Sequence, residues 1–351
     1  MDHLKLVLPR LTVVMPTLNS ERTIELSLQS IRSQEYPQEL IEILVIDGGS
    51  IDQTLAIASR WGARIIPNPF VQQEYAKHIG LTQGTGDYAI FLDSDEVFDS
   101  ALALWNRVST FRESIGARIV LSGGYKKPIG ASSVNDYINI FSDPFAWFMT
   151  RTSSESSAKT ETWSKKYRLL ENGSKHALYD FSDRSHLPIV DFCAGNSLDL
   201  SWLREAMMNE LLSADIVPRL FYLISIKASQ VSVLKNDAII HYSSDSYFTY
   251  IKKLRWRVIA NTHYEKLPGV GFMNREEFQT RSQRLKKYVF VVYAVSIILP
   301  VADSFVQFFK TKKVGSLAHC PLTFLTLGLI IYSYILKILS IRPTISTYGK
   351  S

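Results

Sequence analysis

The sequence predicts an α/β protein with a doubly wound sheet, followed by a C-terminal helical hairpin able to cross a membrane. Three observations carry this reading. Short runs of Val, Ile and Leu alternate with stretches of helical periodicity over the first hundred residues. Polar residues gather where those runs end, at Thr17 to Glu21, Asp47 to Asp52 and Asp93 to Asp95. Two apolar stretches, 288–310 and 321–341, have the length of about 20 residues that a helix needs to cross the hydrocarbon core.

Each element follows in order. Leu11–Met15 is a β-branched run closed by Pro16, the pattern of a buried parallel strand. Thr17 to Ser20 supply turn and cap residues, and Ile24, Leu28 and Ile31 then recur at helical spacing. Ile41–Ile46 is a second buried strand, ended by Asp47-Gly48-Gly49-Ser50. Asp52 and Thr54 lead into a helix over Leu55–Trp61, and Arg64–Ile66 is a third strand. Gln72–Leu81 is helical, and Gly84 and Gly86 close it. Tyr88–Leu92 is a fourth strand that runs directly into Asp93-Ser94-Asp95-Glu96. In such sheets ligands sit at the carboxyl ends of the strands.

Composition narrows the class. A chain of 351 residues with 46% apolar residues fits two domains, or one large domain with an appendage. Its two cysteines, Cys193 and Cys320, exclude a disulfide-stapled fold and a zinc ribbon, and imply a reducing compartment. The net charge is +6. The basic residues cluster at 252–257 and 281–287, the second directly before an apolar run, which points to anionic headgroups. No nucleic-acid-binding signature accompanies them. In the first apolar stretch Asp303 must face protein or an interface, and in the second Lys337 can snorkel. Met1–Leu8 does not read as a signal peptide, so the expectation is an integral membrane protein with its catalytic domain on the cytoplasmic face.

The chemistry is most specific at Asp93 and Asp95. Two carboxylates one residue apart after a buried strand point to the same side of the chain. Hard oxygen donors of this kind bind Mg2+ or Mn2+, with substrate phosphates completing the shell.

The stretches TVVMPTLNSERTI (12–24), SIRSQEYPQELIEILVIDGGSIDQT (30–54) and AKHIGLTQGTGDYAIFLDSDE (76–96) resemble the family 2 glycosyltransferases, with their A-type nucleotide-sugar-binding fold. The resemblance spans about the first hundred residues and implies a mixed sheet. It implies that Pro16, Thr17, Glu21, Asp47 and Asp52 line a nucleoside pocket and that Lys77 lies near the nucleotide. Asp93 and Ser94 would contact the nucleotide sugar, with Asp93 on the ribose or metal and Asp95 holding the metal. Helix capping is the structural alternative for Thr17 and Ser50, and a helix N-terminal acid for Asp52. Gly48 stands where the family commonly has a second acid.

Beyond residue 100 the resemblance is thinner. The stretch 191–206 looks like the family's turn lining the sugar pocket, with a helix after it. Asp215 stands where the family's general base sits, although Ala214 replaces the usual acidic partner; a helix cap is the alternative. His241 follows the short strand Ala238–Ile240 and is a candidate metal ligand or a structural histidine. Lys252, Arg255 and Arg257 lie on an amphipathic helix and are candidates to grip an acceptor phosphate; packing on the sheet is the other reading. The aromatic segment Val134–Thr150 suits either a membrane interface or the core, and Arg151–Thr162 reads as a mobile loop.

The implied organisation is a catalytic domain over 1–240, with a nucleotide half (1–100) and an acceptor half (101–240). A basic interfacial segment (241–287), two transmembrane helices (288–341) and a short tail (342–351) follow. The implied activity is an inverting, metal-dependent transfer from a UDP- or GDP-sugar to a polyprenyl lipid acceptor, in cell-envelope glycan or glycoprotein assembly. The acceptor is a polyprenyl phosphate or a polyprenyl-diphosphate saccharide. A processive polysaccharide synthase and a non-catalytic membrane-tethered scaffold are the alternatives.

Overall fold

The computed structural model describes residues 8–183, 193–264 and 275–344. Met1–Val7, Asp191, Phe192 and the tail from 345 onward lie outside the described residues.

The strands are β1 (Leu11–Thr17), β2 (Ile41–Asp47), β3 (Arg64–Pro67), β4 (Tyr88–Phe91), β5 (Glu96–Phe98), β6 (Ile119–Leu121), β7 (Gly124–Lys126), β8 (Arg168–Asn172), β9 (His176–Asp180), β10 (Asn196–Asp199), β11 (Gln230–Leu234) and β12 (Ala238–His241). The helices are α1 (Ile24–Arg32), α2 (Thr54–Arg60), α3 (Gln73–Gln83), α4 (Ala103–Glu113), α5 (Ser133–Phe141), α6 (Pro144–Thr150), α7 (Lys159–Ser164), α8 (Leu200–Leu211), α9 (Leu220–Ala228), α10 (Tyr247–His263), α11 (Arg281–Val295), α12 (Ile298–Thr311) and α13 (His319–Ile338).

Nine strands form one mixed sheet in the order β3-β2-β1-β4-β10-β6-β11-β9-β8. The first four are parallel, as their continuous apolar runs require when both faces are covered. β10 enters antiparallel between β4 and β6. One face packs Val14, Leu44, Phe91 and Leu198 into one core, and the other packs Val13, Val45, Ile90 and Leu104 into a second. Alternate residues of the same strands feed the two cores, as the two-residue period of a strand dictates.

A second, three-stranded sheet, β5-β12-β7, builds the site. Its register sets His241 opposite Glu96 and Ile240 beside Lys126. Residues far apart in sequence meet here because β12 fits between two three-residue strands. The domain boundary expected after residue 240 falls within β12, one residue before its end at His241. A buried ion pair secures the start of β12: Arg107 on α4 lies 3.0 Å from Asp237, each side chain 1% exposed. The same guanidinium donates through Nε to the carbonyl of Gly195 at 2.6 Å. Gly195 has a φ of +63°, and a Cβ there would lie 2.7 Å from the guanidinium, so this turn requires glycine.

Two expectations need correction. Arg151–Thr162 is not a loose loop. Ser153, Glu155 and Lys159 are buried, Glu155 pairs with Tyr125, and Lys159 Nζ donates to the carbonyl of Ser122 at 2.7 Å. The polar side chains face inward, which composition alone does not reveal. The first apolar stretch is not one helix either. α11 and α12 meet at Ser296-Ile297 with a bend of 88°, and Ile297 has a φ of +54°. Pro300 falls in the first turn of α12, where its missing N–H costs no helical bond. Among the described residues one helical stretch, Val314–Ile338, is by itself long and apolar enough to cross a membrane.

Candidate active site

The site lies at the carboxyl end of β4. β4 delivers Asp93, Ser94 and Asp95 into a tight turn before β5. Glu96 holds that turn. Its Oε2 accepts the backbone N–H groups of Asp93 (2.9 Å) and Ala194 (2.7 Å), and Oε1 accepts the Tyr125 hydroxyl at 2.5 Å. Glu96 is 1% exposed, and burial beside Asp93 and Asp95 pushes its pKa well above the usual carboxylate range. A ligand atom of each of Asp93, Glu96 and Cys193 lies within 4.8 Å of the others. Both Glu96 oxygens are engaged, so Glu96 braces the turn.

Asp93 faces α3. Its carboxylate lies 3.6 Å from Lys77 Nζ and accepts a hydrogen bond from Gln73. Burial raises its pKa to about 6; Lys77 opposes this and Asp95 adds to it. Asp95 faces His241, with Oδ2 3.7 Å from Nε2. The His241 ring stacks on Tyr125 with centroids 4.5 Å apart, and its Nδ1 is buried without a hydrogen-bond partner among the described residues. Burial lowers the His241 pKa, outweighing the attraction of Asp95, so the ring is neutral near pH 7 and able to donate a lone pair. A partly exposed carboxylate beside a neutral imidazole, with further acids within one turn, is a donor set that suits Mn2+, and Mg2+ through the oxygens.

The expected nucleoside residues line the neighbouring strand ends. Pro16 and Thr17 close β1, and Asp47 closes β2 beside Thr17. Asp47 organises its own loop: it accepts the N–H groups of Gly49 (2.8 Å) and Ser50 (2.9 Å) and the Ser50 hydroxyl (2.5 Å). Asp52 accepts from Thr54 and from the N–H of Glu21, and Glu21 accepts the N–H of Gln53. Burial would raise the Asp52 pKa, but these hydrogen bonds hold it below the usual range. Asp52 therefore also fixes the start of α2. Ser94 is buried and donates to Ser20 at 2.8 Å.

Asp215 lies exposed in the 3-10 turn Ala214–Arg219, which packs on α3, the helix that carries Gln73 and Lys77. His78 on α3 bonds the carbonyl of Leu211 at 2.7 Å and ties α3 to the end of α8, just before that turn. Burial raises the pKa of Tyr75, and the charge of Asp215 adds to it.

On α10 the basic residues divide between faces. Lys252 sits over the Phe248 ring, and both Lys252 and Arg255 are exposed. Lys253 Nζ donates to the carbonyl of Ser243, and Arg257 lies 3.5 Å from Asp143. The charges of Lys253 and Arg257 both bear on His241. Lys253 was absent from the sequence candidates, as were Gln73, Glu96, Tyr125 and Cys193. Only the i, i+4 spacing of Lys253 and Arg257 offered a signal for the first.

Residues 12–126 match the model of the family described as Glycosyl transferase family 2. Among curated relatives, the chain is 34% identical over 94 residues to Glycosyltransferase AglE of Haloferax volcanii, covering 25% of this chain and 31% of that protein. It is 32% identical over 106 residues to the GalNAc(5)-diNAcBac-PP-undecaprenol beta-1,3-glucosyltransferase of Campylobacter jejuni, covering 27% of this chain and 33% of that one. It is 32% identical over 95 residues to the poly(ribitol-phosphate) beta-N-acetylglucosaminyltransferase TarS of Staphylococcus aureus, covering 25% of this chain and 16% of that one. The chain thus spans a third or less of the length of these relatives. Among solved structures, the mannosyltransferase PcManGT of Pyrobaculum calidifontis, in complex with GDP-Man and Mn2+, aligns with a TM-score of 0.47 at 14% identity, over 95% of this chain and 88% of that one.

Proposed function

We propose that this chain, whose residues 12–126 match the model of the family 2 glycosyltransferases, is an inverting, metal-dependent glycosyltransferase. It moves a sugar from a UDP- or GDP-sugar to a polyprenyl lipid acceptor at the cytoplasmic face of a membrane. The observation that carries the reading is the pairing of Asp95 with the neutral His241, beside Asp93 and Lys77 at the end of β4.

Placement supports each role. Thr17, Asp47, Asp52 and Glu21 border the nucleoside at the ends of β1 and β2, with Pro16, Lys77 and Ser94 alongside. Asp95, His241 and Asp93 would hold Mn2+ or Mg2+, which supplies charge neutralisation for the diphosphate. Asp215 takes the proton as an acceptor oxygen bonds C1 from the face opposite the departing nucleoside diphosphate. Arg257, Lys252 and Arg255 meet the acceptor's phosphate. The undecaprenyl-linked substrate in the name of the Campylobacter relative supports a lipid-linked saccharide as acceptor. A polyprenyl phosphate is the second acceptor, favoured by the basic residues of α10.

The test is transfer of labelled sugar into solvent-extractable lipid. Membranes with the wild type or Asp95→Ala receive a panel of UDP- and GDP-sugars with Mn2+. Label in lipid from the wild type alone supports the reading and names the donor. No label from any donor, with folded protein and both acceptor types present, overturns it.

A further inference from the structure

The helices after residue 280 are built inside out. Polar residues are concentrated on their buried faces, Ser304 and Gln307 on α12 and His319, Thr323, Thr326 and Ser333 on α13, beside buried Phe290, Leu322 and Leu327. Their outer faces are apolar, with Val292 66% exposed, Ile298 76%, Phe309 63% and Ile338 81%. A helix on a water-soluble surface shows the opposite pattern.

The same helices are fastened to the catalytic domain at several points. Lys286 near the start of α11 donates to the carbonyl of Met149 on α6 at 3.0 Å. Lys310 near the end of α12 reaches Glu161 on α7 at 3.0 Å. Between them Asp303 accepts from Trp147 at 2.9 Å and pairs with Arg151. After α12 the chain returns to α5: Lys313 lies 3.7 Å from Asp136, and a Cβ on Gly315 would lie 2.2 Å from the Ser133 carbonyl. The bent pair α11–α12 therefore leaves the catalytic domain and comes back to it.

α13 then runs beside α10 in the same direction. Leu322 in the first turn of α13 and Leu254 midway along α10 share a core. Near their ends His263 bonds the Ser333 carbonyl at 3.0 Å, and Lys337 bonds the Thr262 carbonyl at 2.9 Å. If α13 crossed a bilayer, the second half of α10 would enter it alongside, with Arg255 and Arg257. Two arginines within three residues are a barrier to such burial.

The geometry points to a one-leaflet seat: α11, α12 and the outer face of α13 enter a single leaflet of an anionic bilayer, and the chain does not cross it. The apolar face takes the acyl region. Arg281, Arg284 and Lys312 meet the headgroups around it. This rests on the proposed membrane acceptor only for the choice of lipid as occupant, and its test reads no activity.

Full-length protein is added to sealed vesicles of phosphatidylcholine and phosphatidylglycerol. Single reporter cysteines replace Glu39, Lys312 or Ser340 in a Cys193→Ser, Cys320→Ser background whose thermal unfolding matches the wild type. A membrane-impermeant maleimide should label all three sites to the same extent before detergent. A Ser340 reporter protected until detergent, with the Glu39 reporter labelled, overturns the one-leaflet seat. A protease site placed after Ser340 in the chain with native cysteines gives the same reading should that background fail to fold. Ile298→Glu with Phe309→Glu should cut the vesicle-bound fraction at least tenfold while the protein stays folded. Folded wild type that does not bind these vesicles overturns lipid as the occupant and moves the face to a contact between copies of the chain. Transfer to lipid measured separately decides the glycosyltransferase reading, so the two can fail independently.

Discussion

His241 Nε2 lies 3.7 Å from Asp95 Oδ2, His241 ending β12 and Asp95 standing in the turn just before the neighbouring strand β5. Asp95 alone is a surface turn carboxylate. With His241 it becomes half of a donor set. His241→Ala should raise the Mn2+ concentration needed for half-maximal transfer roughly 10–100-fold. Because burial keeps the ring neutral, that Mn2+ requirement should not change between about pH 8 and pH 7. A variant with unaltered Mn2+ dependence would leave His241 a packing residue.

Asp215 separates the two acceptors. An alcohol needs a base in the transition state and an ionised phosphate does not. With a lipid-linked saccharide, Asp215→Asn should lower kcat by about 10²–10⁴-fold with little change in donor KM. With a polyprenyl phosphate the loss should stay below about tenfold. Parallel assays on the two acceptors decide between them.

The two faces of α10 should answer to different measurements. Arg257 turns toward Asp143 and His241, so Arg257→Ala should raise the KM for the lipid acceptor several-fold. Arg255 is exposed, so Arg255→Ala should weaken vesicle binding by more than it raises the KM for a detergent-solubilised acceptor. The reverse pattern would exchange their roles.

Acidic groups in the domain give the metal-free protein a pH signature. Burial raises the pKa of Glu155 to about 7 and that of Asp93 to about 6. Each binds more protons folded than unfolded. The stability they contribute is full below the unfolded carboxylate range and is lost as pH rises through 6 and 7. Thermal unfolding should therefore occur at higher temperature near pH 5 than near pH 8, the stability differing by of order 4 kcal/mol. Glu155→Gln should flatten part of this slope, and an unchanged slope would place the effect elsewhere.

Gly315→Ala should cost about 1–3 kcal/mol by overpacking against α5. The drop in unfolding temperature should come with faster proteolysis around residue 312, because the same contact holds the α12–α13 connection down. A neutral variant would mean that α5 gives way easily.

The first four strands and their helices were legible because each strand is a continuous apolar run bounded by turn residues. β5 and β7 were not, because three residues carry no period. That loss hid the site's organisation. Glu96 is adjacent to the acidic pair, yet only the turn shows it accepting two backbone N–H groups and a tyrosine hydroxyl. Tyr125 has no local pattern at all. The apolar run 288–310 gave the right composition and the wrong continuity, because hydropathy does not register the left-handed Ile297 or the counter-charge that Arg151 offers Asp303.

His241 ends β12 and Tyr247 opens α10, with five residues between them. Even fully extended, that connection spans about 20 Å. His241 and the basic helix thus stand at a bounded separation. Under the proposed function such a frame would act as a gauge, sorting acceptors by how far their reacting oxygen stands above the headgroup plane, before any sugar is recognised.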